Sequence, residues 1–129
     1  MSEEKQKRVL LVDDEKLVLS SLRRLLRRES FEVVTCESGP EGIEYLEQGH
    51  EVDVILSDYK MPGMNGVEFL REIAPRWPAV KRCMLTAQAD RNVLEAALED
   101  GTLHRAFHKP WDNQELVDRL RAVVKDEAA

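Results

Sequence analysis

The stretch VLLVDDEK (residues 9–16) runs four apolar residues straight into three consecutive acids, Asp13, Asp14 and Glu15. Successive side chains of a strand point to opposite faces, so a run that is apolar at every position reads as a strand buried on both sides. Neighbouring carboxylates at its end repel one another and raise the cost of ionising both. Two readings stand at this point. The acids can cap and charge the N-terminus of a following helix, or they can belong to a site where a hard dication neutralises them.

Working outward, strands and helices alternate along the whole chain. Residues 8–12 read as a strand, 15–29 as a helix with Val18, Leu22, Leu25 and Leu26 at helical spacing, and 31–36 as a second strand. A glycine-bounded helix over 39–49 leads to a buried strand over 52–57. The third helix is placed at 66–74, stopped ahead of Pro75 and Pro78, with a strand at 80–85 beyond it. A helix over 90–100, a short strand over 103–107 and an amphipathic helix over 112–125 complete the pattern. This alternation predicts an α/β fold, a parallel sheet covered on both faces with right-handed crossovers, in one domain of 129 residues.

Composition narrows the function classes. Hydrophobic content of 43% and charged content of 34% are those of an ordinary globular chain, and no apolar run approaches the ~18 residues of a membrane span. The charged start MSEEKQKR is unlike a secretory signal, which places the expected location in the cytoplasm. A net charge of -6 argues against a direct nucleic-acid partner, with Arg23, Arg24, Arg27 and Arg28 read as a solvated helix face that complements the helix dipole. Cys36 and Cys83 have no metal-ligand spacing, and His50, His104 and His108 read as surface or strand residues.

In open parallel sheets, ligands bind outside the carboxyl ends of the strands. Those ends carry Asp13 and Asp14, then Asp58, then Thr86, then Lys109. Each has an ordinary structural explanation: caps for the acids and Thr86, a turn for Asp58, a surface lysine before Pro110. Their coincidence at four strand ends favours an acidic metal site instead, since Mg²⁺ takes one or two carboxylates, water and a phosphate oxygen.

The motifs VDDE, DYKMPGMNG, MLTA and HKPW, in this order and at these separations, resemble those of the response-regulator receiver domain over residues 7–125. The resemblance implies a five-stranded, flavodoxin-like sheet of order 2-1-3-4-5 flanked by five helices. It implies Asp58 as phospho-acceptor, Mg²⁺ held by Asp13, Asp14, Asp58 and the Lys60 carbonyl, and Thr86 and Lys109 on the phosphoryl oxygens. It implies a sensor histidine kinase or phosphotransfer protein as donor, a C-terminal output domain outside this chain, a homodimer through the last helices, and no enzymatic turnover beyond the domain's own phosphorylation and dephosphorylation. In that strand order Cys36 and Cys83 stand about 14 Å apart at ~4.8 Å per strand, beyond the ~7 Å Cα limit for a disulfide.

Further expectations follow from the same motifs. Sequence alone favours a trans Lys109–Pro110 bond, whereas the resemblance favours cis. Pro62 and Gly63 predict a tight turn, and Gly66 a close backbone approach beside the site. Lys60 and Gln88 are expected to flank the path of an attacking water. Trp111 reads as packing before ligand. The family often carries an aromatic residue three positions before its lysine; here Ala106 stands there, and Phe107 is expected to face the other side of the strand. Two other classes fit the motifs less well. An Mg²⁺-dependent aspartyl-phosphate phosphohydrolase would want D-x-D after the first strand, which VDDEK lacks, and a phosphorylation-independent binding module would not need the full set of acids, hydroxyl and lysine.

Overall fold

A strand apolar at every position must be covered on both faces, and the first strand is. A computed structural model describes residues 6–87 and 91–125. Its strands are β1 (Arg8–Val12), β2 (Glu32–Cys36), β3 (Val54–Ser57), β4 (Lys81–Thr86) and β5 (Arg105–His108), alternating with helices α1 (Lys16–Arg28), α2 (Gly39–Glu47), α3 (Gly66–Arg76), α4 (Arg91–Glu99) and α5 (Asn113–Lys125). The strands pair in parallel in the order β2-β1-β3-β4-β5. Val9 and Leu11 pack with Leu22 and Leu26 of α1 and Leu116 and Leu120 of α5; Leu10 and Val12 pack in a second cluster with Phe69, Leu70 and Ile73 of α3. Two helices therefore cover one face and three the other. Among the described residues, no helix is long and apolar enough to cross a membrane.

Register places the functional ends side by side. Val12 pairs with Cys36 on one side and Ser57 on the other, Ser57 pairs with Met84, and Thr86 pairs with His108. Residues 13, 58 and 109 each follow the last residue of their strand. The cysteines are buried and free, with β1 and β3 between their strands and their side chains in opposite clusters. Burial pushes both thiols up to about 12.

Two local expectations need correction. The third helix does not stop before Pro75 but continues to Arg76. Proline in a last turn removes only its own donor, and Trp77 N still donates to Ile73 O at 2.8 Å to close the helix. At its other end Asn65 and Glu68 form a reciprocal capping box, with both bonds at 2.9 Å. The Lys109–Pro110 bond is cis, against the reading from sequence alone and in line with the resemblance. The expected start of the fourth helix at Asp90 lies outside the described residues, as does Gln88.

Candidate functional site

The acids after β1 do not cap the first helix. Its N-cap is Glu15, which makes no side-chain cap bond, and its first turn contains no acid. Asp13 is turned into the protein instead, 4% exposed, with Oδ1 accepting from Glu15 N at 2.8 Å. Asp58, 8% exposed, accepts through Oδ1 from Tyr59 N at 2.8 Å, and its backbone N donates to Val12 O at 2.9 Å. Asp14 remains exposed. Each of Asp13, Asp14 and Asp58 offers one carboxylate oxygen to a group whose members all lie within 4.8 Å of one another.

Facing these acids is a single ammonium from the far side of the sheet. Lys109 Nζ lies 2.9 Å from Asp13 Oδ2, 3.4 Å from Asp58 Oδ2 and 3.5 Å from Glu15 Oε1. Its backbone N donates to Thr86 O at 3.2 Å, joining the ends of β4 and β5. Burial pulls the Lys109 pKa down, but the hydrogen bond to Asp13 and the charges of Asp13 and Asp58 outweigh it and leave it raised. For Asp13 the balance is reversed: burial dominates, the Glu15 amide and Lys109 offset only part of it, and the carboxyl sits above its ordinary range. Lys109 is thus shared among three acids, Asp13, Asp58 and Glu15, with the carboxylate of Asp14 close by.

A cleft of about 570 Å³ opens over these groups, lined by Asp14, Asp58, Lys60, Met61, Thr86 and Lys109 among others. The structure brings Asp14, Asp58, Lys60, Thr86 and Lys109 to this cleft, with Asp13 beside it on Lys109; Gln88 lies outside the described residues. It also adds Glu15 as a partner of Lys109, a contact the sequence signalled only as a third consecutive acid. Gly66 packs directly on the backbone of Asp58 and Tyr59. Its N donates to Tyr59 O at 2.7 Å, and a Cβ there would collide with Asp58 O and stand 2.9 Å from Met84 Cε.

The other singled-out residues have structural places. Ala106 pairs with Met84 and packs against the α3 side, while Phe107 is buried on the α1 side, as the strand period requires. Trp111 packs against the α1 side and donates to Asn113 Oδ1 at 2.9 Å. His50 stacks on Tyr45, ring centroids 4.1 Å apart. Sequence reasoning missed Arg82 and His104, which are joined by a bond of 2.9 Å from Arg82 N to His104 Nδ1. The available signal was a second cation, Arg82, directly before the apolar run CML of the fourth strand.

Comparison with known proteins agrees with this geometry. The family model for the response regulator receiver domain matches residues 9–121. The hydrogenase transcriptional regulatory protein HoxA of Cupriavidus necator is 38% identical over 122 residues, covering 95% of this chain and 25% of that protein. The cell cycle response regulator CtrA of Brucella ovis is 34% identical over 124 residues, covering 92% of this chain and 50% of that protein. The chain therefore spans between a quarter and a half of the length of these relatives. Among solved structures, the signal receiver domain of an HD domain-containing protein from Pseudomonas fluorescens aligns with a TM-score of 0.89 at 28% identity, over 97% of this chain and 91% of that one. A CheY-like receiver domain protein from Methanospirillum hungatei gives 0.88 at 26% identity, over 94% and 95%. Sheet order, the acid cluster at the strand ends and these likenesses converge: the chain belongs to the response regulator receiver domain family.

Proposed function

We propose that this chain is a phosphorylation-switched receiver of a two-component relay, with Asp58 as the acceptor. The observation that carries the reading is the sharing of Lys109 between Asp13 and Asp58 beside a third carboxylate, Asp14, within 4.8 Å. A carboxylate oxygen of Asp58 attacks the phosphorus of a phosphohistidine donor, the phosphorus–nitrogen bond breaks, and the imidazole leaves with its electron pair and takes up a proton. Lys109 and the Thr86 hydroxyl are placed to hold the phosphoryl oxygens as charge develops there. The residues fit a resident Mg²⁺, held by Asp13, Asp14, Asp58 and the Lys60 carbonyl. When bound, it supplies charge neutralisation and Lewis acidity toward the phosphoryl group. The aspartyl phosphate adds about two negative charges and three strong acceptors where one carboxylate stood.

In this reading the chain turns over no substrate other than its own phosphoryl group. It works in the cytoplasm, receiving phosphate from a histidine kinase or phosphotransfer protein and passing the signal to an output domain or partner. The greater length of HoxA and CtrA supports an output segment beyond the receiver. The test is incubation with Mg²⁺ and acetyl phosphate followed by intact mass measurement. One phosphoryl adduct per chain, absent in Asp58→Asn and absent under chelation, is expected; undiminished labelling of Asp58→Asn moves the acceptor elsewhere.

A further inference from the structure

Among the described residues the buried charged side chains are Asp13, Asp58 and Arg82. The first two belong to the site. Arg82 serves the fold: its guanidinium donates from Nε to Thr102 O, from Nη1 to Val80 O and from Nη2 to Gly101 O, each at 2.9 Å. Glu15 has neither explanation. It is the N-cap residue of α1, in extended backbone geometry, yet its side chain makes no cap bond. Its backbone does the structural work, with N donating to Asp13 Oδ1 at 2.8 Å and O accepting from Leu19 N at 3.2 Å. The carboxylate lines the cleft instead and reaches to 3.5 Å from Lys109 Nζ.

The acids around Lys109 are not equivalent. The side chains of Asp13 and Asp58 are 5% and 9% exposed, and each also accepts from a backbone amide, of Glu15 and Tyr59 respectively. Glu15 is 64% exposed and stands farthest from the ammonium of the three. Among the described residues it has no other ion pair. An ammonium has three donors, and those of Lys109 already have three acidic partners within 3.5 Å. An entering phosphoryl group, itself a set of anionic oxygens, must therefore displace one of them. Burial decides which. Pulling Asp13 or Asp58 off the lysine leaves an enclosed carboxylate short of its cation, whereas Glu15 moves out into water.

We infer that Glu15 is a positioning residue whose carboxylate stands on Lys109 in the place of the phosphoryl oxygens and must be displaced before a donor's phosphoryl group can bind. The inference rests on phosphorylation of Asp58 with Lys109 on the phosphoryl oxygens. Its consequence is a restraint on rate: the resting protein resists small anionic donors, by the modest factor that an exposed ion pair supplies.

Uptake from acetyl phosphate tests it, followed by intact mass at a Mg²⁺ concentration where each protein's rate no longer rises. Glu15→Gln keeps the shape, loses the charge and removes no cap bond. It is expected to raise the second-order rate roughly three- to fivefold. Glu15→Asp separates contact from field. It keeps the charge but falls a methylene short of Lys109, and aspartate is a preferred N-cap that turns to the amides of the helix; it should gain at least half as much as Glu15→Gln. Glu44→Gln, which removes an exposed acid of α2 outside the cleft, should leave the rate unchanged. Without any donor, the side-chain carbon resonances of Lys109, assigned by their loss in Lys109→Met, should shift in both Glu15 variants and stay in place in Glu44→Gln. A rate unchanged or lowered in Glu15→Gln, wild-type behaviour of Glu15→Asp, an equal gain in Glu44→Gln, or unmoved Lys109 resonances in the Glu15 variants each overturn the inference. Absence of a mass shift in every protein, wild type included, instead overturns phosphorylation itself, and this role of Glu15 with it.

Discussion

Lys109 Nζ stands 2.9 Å from Asp13 Oδ2 and 3.4 Å from Asp58 Oδ2, so one ammonium at the end of β5 is shared by acids at the ends of β1 and β3. Removing it leaves two largely buried carboxylates facing each other. Lys109→Met is expected to slow phosphoryl uptake from acetyl phosphate by roughly 10²-fold, the usual loss for one donor aimed at developing charge. It should also lower stability by about 2 kcal/mol through the uncompensated acids. Stopped-time mass measurement and denaturant unfolding check the two effects separately; an unchanged rate would remove Lys109 from the transition state.

Asp14 is exposed and engages no cap, so its contribution should be to the cation alone. A ligand that binds only the folded state raises stability with its concentration. Mg²⁺ should therefore raise the melting temperature of the wild type, and Asp14→Ala should lose most of that rise while melting no lower than wild type without metal. Calorimetric scans across a Mg²⁺ series decide it. An equal rise in both proteins would mean that the ion binds elsewhere.

Gly66 is fixed by contact, not by a positive φ. A methyl group there meets the backbone of Asp58 and Tyr59, which cannot give way as a side-chain tip could. Gly66→Ala should cost about 3 kcal/mol, at the upper end for overpacking. It should also depress phosphorylation, because the displaced strand end carries the acceptor. Urea midpoints near wild type would show that the site relaxes more easily than its packing suggests.

The Arg82–His104 junction predicts a pH dependence. Burial, then the charges of Arg82, Lys81 and Arg105, lower the His104 pKa, and Nδ1 must stay unprotonated to accept from Arg82 N. The folded protein thus resists a proton that the unfolded chain accepts near pH 6.5. The stability this contributes is fully present above about pH 6.5 and is lost as pH falls through the lower folded value. Replacing His104 by Gln should flatten the unfolding free energy between about pH 7 and 5 relative to wild type; parallel curves for the two proteins would exclude the junction as the titrating element.

Both thiols are buried and pushed up to about 12, so neither has thiolate character at neutral pH. Iodoacetamide at pH 8 should leave folded protein unmodified and label two sites once it is unfolded in urea. Rapid labelling of the native protein would reveal local opening of β2 or β4.

The sequence by itself determined the fold class and which residues stand at the carboxyl ends of the strands. Helical and strand periodicities are local signals, and residues 9–12, apolar throughout, read as a strand covered on both faces. The rule that ligands meet the carboxyl ends of parallel strands then points to Asp13, Asp14, Asp58, Thr86 and Lys109. It could not choose between capping and cation binding for the first acids, because both readings want carboxylates at the same positions. Tertiary structure removed the capping reading: register brought Asp58 and Lys109 against Asp13, and the helix began at Glu15 without using a side chain of its own. It alone disclosed the shared lysine and the buried Arg82 fork, since both depend on contacts across dozens of residues whose geometry no local pattern encodes. Helix α3 running through Pro75 has the same origin, because a missing donor in a last turn is a small loss once Leu70 and Ile73 are buried in the core.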